Sequence, residues 1–232
     1  MSLIQHTDGV WSFKHHLRVG GLIPLGTRTT IVRIDDGALL LHSPGPLSDA
    51  QHSQIQQLGT VSTIVSPNLE HTLFLDAAAQ RYPEAQLWTA PGCSTALPRA
   101  AQTLDNIVDP PWKNTLRAFA VDGMPKLMET VFLHVVSKTL IITDLSFNIR
   151  DAGFWDRMLL GLTGAHGKFG PSRLLRSYYL QEADALRRSL DIILEQDFDR
   201  VIPAHGEVVE AGAHEGLRQA FAFLKPAHAS VA

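Results

Sequence analysis

The sequence predicts an α/β (α+β) fold in a single domain spanning residues 1–232. Three observations lead there. Strand-length runs of β-branched and aliphatic residues recur along the chain. Between them lie stretches with the three- and four-residue apolar spacing of helices packed on a sheet face. No Gly/Ser-rich linker, internal repeat or low-complexity tract divides the chain, and 45% hydrophobic with 19% charged residues is an ordinary globular balance.

The elements follow in chain order. Thr29–Ile34 is β-branched and runs into Asp35-Asp36-Gly37, a hairpin signal, with Ala38–Leu41 as the return strand. Ser43-Pro44-Gly45-Pro46 breaks that strand. A helix starts at Ser48, where Gln51 three residues on completes a capping box, and stops at Gly59. Val61–Val65 is an apolar strand leading into the polar stretch Ser66–His71. Thr72–Arg81 reads as a helix halted by Pro83, and Leu87–Ala90 as a short strand. Leu116–Val121, Glu129–Val136 and Thr139–Thr143 are extended, the last two joined by a turn at Ser137-Lys138. Ala183, Leu186, Leu190, Ile193 and Leu194 form an apolar stripe on a helix over Glu182–Gln196. Arg200–Pro203 is a strand, and a last helix covers Ala213–Leu224.

Composition narrows the function. With 20 basic and 23 acidic residues the net charge is −3, too weak a field of either sign to draw nucleic acid or an anionic membrane. A single cysteine, Cys93, forms no internal disulfide and points to no oxidising compartment. The N-terminus has no basic-then-apolar leader, and the longest apolar runs are far below a membrane span. These readings predict a cytoplasmic protein with a small-molecule substrate or ligand and neither nucleic acid nor membrane as partner.

Three strands end directly before a potential metal ligand: Val61–Val65 before Glu70 and His71, Thr139–Thr143 before Asp144, and Arg200–Pro203 before His205. Sites in α/β sheets gather at the carboxyl ends of strands. Two imidazoles and two carboxylates meeting there suit zinc, iron or manganese. The plainer alternative is that each His is hydrogen-bonded structure and Asp144 a cap.

The order of these residues resembles the metallo-β-lactamase superfamily. There one strand ends in a His-x-His-x-Asp-His motif, a later one in Asp and a final one in His. Ser66-Pro67-Asn68-Leu69-Glu70-His71, Thr143-Asp144-Leu145 and Pro203-Ala204-His205-Gly206 stand at those places. Together with His42-Ser43-Pro44 they are similar to an uncharacterised branch of the superfamily, DUF4336. The resemblance implies a four-layer αββα sandwich of two mixed sheets. It also implies a depleted centre. Ser66 and Asn68 replace the first two His of the motif, and the loop Asp122–Met128 lacks the middle His, so the first metal site is lost. Glu70, His71, Asp144 and His205 remain for at most one zinc, iron or manganese ion, or for none.

The resemblance further implies a metal-dependent hydrolase acting on an ester, lactone or thioester. Asp144 and His42 are its candidate catalytic residues, and Asn68 and Arg28 its candidate substrate-binding residues. The rival reading is a catalytically inactive binding protein on the same fold. His42 is alternatively a satisfied structural histidine, and Arg28 a surface ion pair. His15 and His16, adjacent on a strand, face opposite ways. Gly164–Gly170 is a Gly-rich connector with one lysine and lacks the ending of a phosphate-binding loop. Trp155, Met158, Leu159 and Leu162 have helical spacing, which suits core or a homodimer interface.

Overall fold

The computed structural model describes residues 2–18, 20–35, 37–150, 153–164 and 167–224. Seven strands form the first sheet in the order β1 (Ile4–Thr7), β2 (Val10–His15), β3 (Thr27–Arg33), β4 (Leu39–His42), β5 (Val61–Ser66), β6 (Gln86–Thr89) and β7 (Ala101–Thr103). Neighbours are antiparallel from β1 to β4 and parallel from β4 to β7. The second sheet has four strands in the order β11-β10-β9-β8: β8 (Leu116–Ala120), β9 (Thr130–His134), β10 (Thr139–Ile142) and β11 (Arg200–Pro203). Only β10 and β11 are parallel in it. The helices are α1 (Asp49–Leu58), α2 (Leu75–Arg81), α3 (Phe154–Thr163), α4 (Ala183–Leu194) and α5 (Ala213–Ala220), with a π-helical turn at Leu175–Tyr179.

Period-two side-chain alternation assigns the layers. Leu39 and Leu41 pack outward with Ile55 of α1 and Ala78 of α2, while Leu40 faces inward. Ile64 and Leu87 point out, and Val65 and Trp88 point in. The second sheet mirrors this. Val131, Leu133, Leu140, Ile142 and Val201 meet Leu186, Leu190 and Leu217 of α4 and α5. Phe132, Ile141 and Ile202 face the first sheet. The order is therefore helix, sheet, sheet, helix, the αββα sandwich that the resemblance implies. Each fully buried Leu, Ile or Phe contributes about 1.5–3 kcal/mol.

Local signals act where the sequence places them. Ser48 and Gln51 form the capping box of α1, and Gly59 closes that helix through its N–H to Ile55 O. Helix α2 begins three residues later than its apolar pattern suggests, because Thr72–Phe74 turn the chain out of the site loop first. Strand β9 stops at His134, followed by a tight turn with Lys138 at φ 52°. Strands β1, β2 and β7 are additions to the sequence reading. In α3, Met158 is exposed, while the side chains of Trp155 and Leu162, like residues 165–166 of the Gly-rich connector and Asp36 of the hairpin, lie outside the described residues.

Candidate metal centre

Parallel pairing sets Ile142 beside Pro203, so Asp144 and His205 leave the second sheet at the same end. The loop after β5 in the first sheet is zipped to the segment before β9. Leu69 N–H donates to Leu127 O at 2.9 Å, and Thr130 N–H donates to Pro67 O at 2.9 Å. Within that loop Asn68 Oδ1 accepts from the backbone N–H of Glu70 (3.0 Å) and His71 (2.8 Å), and Ser66 Oγ donates to His71 O at 2.9 Å. This knot aims His71 across the gap between the sheets.

Three ligand atoms converge. His71 Nε2 lies 3.2 Å from Asp144 Oδ2, and His205 Nε2 lies 3.2 Å from Asp144 Oδ1. The two Nε2 atoms are 3.2 Å apart, and the ligand atoms of all three residues fall within 4.8 Å of one another. The outer nitrogens have partners of their own. His205 Nδ1 faces Gly26 O at 2.8 Å. A carbonyl only accepts, so Nδ1 carries the proton and neutral His205 presents an Nε2 lone pair. His71 Nδ1 lies 2.5 Å from Ser43 Oγ, and donation to that oxygen leaves His71 in the same tautomer. Ser43 is buried and holds φ 54°, a left-handed conformation that non-glycine residues rarely adopt and that clusters at functional sites.

Electrostatics match the geometry. Burial alone would raise the Asp144 carboxyl, but His71 and His205 beside it hold it well below the carboxylate range. Burial likewise opposes charge on His205, and Asp144 overrides it and raises the imidazole. Glu129 is pushed up to about 7, first by burial and then by Asp144, despite accepting the N–H of Thr143 (2.8 Å) and of Asp144 (2.9 Å).

The remaining sequence candidates do not join the three as ligands. Glu70 is exposed, and its Oε1 accepts the Tyr179 hydroxyl at 2.5 Å instead of turning to the cluster. Asn68 does not reach the cleft as a substrate contact. It is fully buried, and its Nδ2 donates to Asp144 Oδ2 (2.8 Å) and Thr143 Oγ1 (3.0 Å) and approaches Glu129 Oε2 at 3.4 Å. Arg28 is neither a surface ion pair nor a substrate contact. It is 1% exposed, and it donates to Pro203 O (3.0 Å), Gly206 O (2.6 Å) and Ser12 Oγ (2.9 Å), clamping the chain on both sides of His205. His42 is sealed between the sheets, edge-on to Phe132 at 5.4 Å, with no partner for Nε2. Its imidazole is lowered to about 3 by burial and then by His71, so it is neutral and outside the cleft. His15 is buried against Thr29 and His16 is exposed, as their adjacency requires.

Glu129, Ser43, Gly26 and Tyr179 are the site residues that sequence reasoning missed. Glu129 stands directly after the loop where the resemblance places a histidine, and Ser43 follows His42 in a stretch already singled out. Gly26 and Tyr179 carry no local signal.

A cleft of about 460 Å³ opens over the three ligands. Its walls include Leu25, Phe74, Phe147, Leu174 and Leu175, with Ser172, Tyr179 and Glu70 as polar members. Phe147 also packs edge-on against the His205 ring at 4.8 Å.

Comparison with known proteins agrees with this layout. The family model described as Domain of unknown function (DUF4336) matches residues 7–153. DIM-1 metallo-β-lactamase superposes with a TM-score of 0.65 at 13% identity, covering 97% of this chain and 98% of that one. FIM-1 from Pseudomonas aeruginosa, in its mono-zinc form, gives 0.64 at 14%, covering 97% and 96%. The Hirschia baltica metallo-β-lactamase gives 0.63 at 16%, covering 97% and 98%. At such identities the likeness shows the fold alone. Among curated proteins none matches the chain by sequence.

Proposed function

We propose, for a chain that belongs to the DUF4336 family and carries the metallo-β-lactamase fold, a metal-dependent hydrolase that opens an ester, lactone or thioester of a small molecule. His71, Asp144 and His205 would hold one zinc, iron or manganese ion. The observation that carries the reading is the tautomer arrangement. Gly26 O fixes a proton on His205 Nδ1, and Ser43 Oγ can take that of His71, so two Nε2 lone pairs and a carboxylate point at one another within 3.2 Å. Such a donor set repels itself unless a proton or a metal ion sits among the atoms, and two His with one carboxylate suit a divalent ion with an open position. When bound, the ion supplies Lewis acidity and a nucleophile at neutral pH.

The chain's own groups supply the rest. Asn68 Nδ2 holds Asp144 Oδ2 and so orients the carboxylate. The same amide hydrogens occupy the side of the centre where the resemblance expects the first metal's ligands, which supports one ion and not two. Tyr179 keeps its proton, since burial and Glu70 raise it far above the usual phenol range. It therefore faces the cleft as a neutral donor, and Glu70 as its acceptor. Apolar walls keep water from competing around the reacting carbonyl.

The binding-protein alternative rests on one observation, that Asn68 and Glu129 fill the first-metal side with hydrogen bonds. Elemental analysis of chain purified without added metal or an affinity tag decides between them. Close to one ion per chain, lost in His71→Ala and His205→Ala, supports the hydrolase. No metal, even after reconstitution with zinc, iron and manganese, sinks it.

A further inference from the structure

We propose, resting on the hydrolase reading above, that the substrate's acyl part is an uncharged aliphatic chain, seated in the cleft with its carbonyl over His71, Asp144 and His205. The cleft is lopsided in its chemistry. His71, Asp144 and His205 are among its buried or half-buried polar members, Arg18 and Glu70 are exposed, and Leu17, Ile23, Leu25, Phe74 and Leu175 give it an apolar lining. The walls continue into Leu174 and Leu73, which line the same cleft and remain 51% and 71% exposed. An exposed leucine is ordinary by itself, but two continuing one apolar cleft extend its binding surface to the rim.

The charged groups of the cleft explain the uncharged tail. Arg18 is engaged, donating to Leu22 O at 2.9 Å and to Asp156 at 3.0 Å. Glu70 is held by Tyr179. Among the described residues, no cation of this cleft stands ready for a distal carboxylate or phosphate, so burial of methylenes is the interaction left to recognise the substrate.

A series of straight-chain hydroxamic acids, from acetohydroxamate to decanohydroxamate, tests the idea. The head group is constant, and only the tail changes. Binding is measured calorimetrically on zinc-loaded full-length chain. Affinity should rise about fourfold per added methylene, the equivalent of 0.8 kcal/mol for each buried CH₂. Leu73→Ser combined with Leu174→Ser, both at exposed positions, should flatten the slope for the longer members and leave acetohydroxamate unchanged. A flat series in the parent overturns the acyl inference, whatever zinc does. A slope that persists in His71→Ala supports the acyl cleft independently of the metal, and a slope in a parent chain that takes up no zinc keeps the acyl cleft while the metal-dependent reading falls. A flat series together with co-sedimentation on phosphatidylcholine vesicles, lost in the double serine variant, overturns it in favour of a lipid surface.

Discussion

At the residue scale the centre is defined less by its three ligand side chains than by the groups behind them. An imidazole free to rotate or change tautomer is a poor ligand, and outer partners typically alter metal affinity by about 10–100-fold. Ser43 can hold His71 Nδ1, and its left-handed backbone puts the hydroxyl in place. Ser43→Ala should therefore weaken zinc binding by about 10–100-fold in competition with a chromophoric chelator, while circular dichroism stays unchanged. Unaltered affinity would remove Ser43 from the centre. Asn68→Ala should act on stability as well. It strips a donor from Asp144 and leaves the N–H groups of Glu70 and His71 without their acceptor, at about 1–3 kcal/mol for each buried group left unpaired. Urea unfolding of the metal-free chain measures it, and a loss below 1 kcal/mol would show that water replaces the amide.

At the element scale the His205 loop is the most constrained segment. Arg28 on β3 grips the carbonyls of Pro203 and Gly206, and Asn148 N–H donates to His205 O at 3.0 Å. Gly206 adopts φ +94°, and a Cβ there would collide with the Asn148 carbonyl. Gly206→Ala is expected to cost about 1–3 kcal/mol from strain, and to weaken metal binding because the loop must move. Thermal unfolding with and without zinc separates the two effects. The same segment shows why the sequence was only partly legible. Strand β11 and His205 are read from a local run of four residues. The role of Arg28 depends on carbonyls 175 and 178 positions away, so no window around it distinguishes a clamp from a surface ion pair. Glu129 is hidden for the same reason, since Thr143 and Asn68 lie 14 and 61 positions off. Strand β2 does carry a local signal, since Trp11-Ser12-Phe13-Lys14 alternates apolar and polar residues with Trp11 and Phe13 in the outer layer, and its absence from the sequence reading has no physical cause. Strand β7, at three residues, is too short to carry a pattern. Signals confined to a turn, such as the α1 capping box, were fully readable.

At the scale of the whole molecule, the first sheet carries an acid sensitivity in histidines that are not ligands of the centre. His6 and His15 are lowered to about 4, and His42 to about 3, in each case chiefly by burial. Arg28 adds to the first two, and His71 to the third. In the unfolded chain these groups take up protons near their ordinary value of 6.5, while the folded sheet keeps them neutral. Below about pH 6.5 the unfolded state therefore binds more protons, and stability falls as pH drops toward the folded values. Above pH 6.5 their contribution is fully present and flat. The share of these three groups in the urea midpoint of metal-free chain should accordingly be flat between about pH 7 and 8 and fall steadily from about pH 6.5 to 4.5, while any slope above pH 7 belongs to the raised groups Glu129 and His205. His42→Leu separates this from catalysis. The leucine fills similar volume, removes an Nε2 that has no partner, and cannot take a proton. Its stability advantage over the parent should grow as the pH falls, with zinc affinity unchanged. A variant that instead loses zinc, or whose midpoints track the parent's at every pH, would return His42 to the chemistry of the centre.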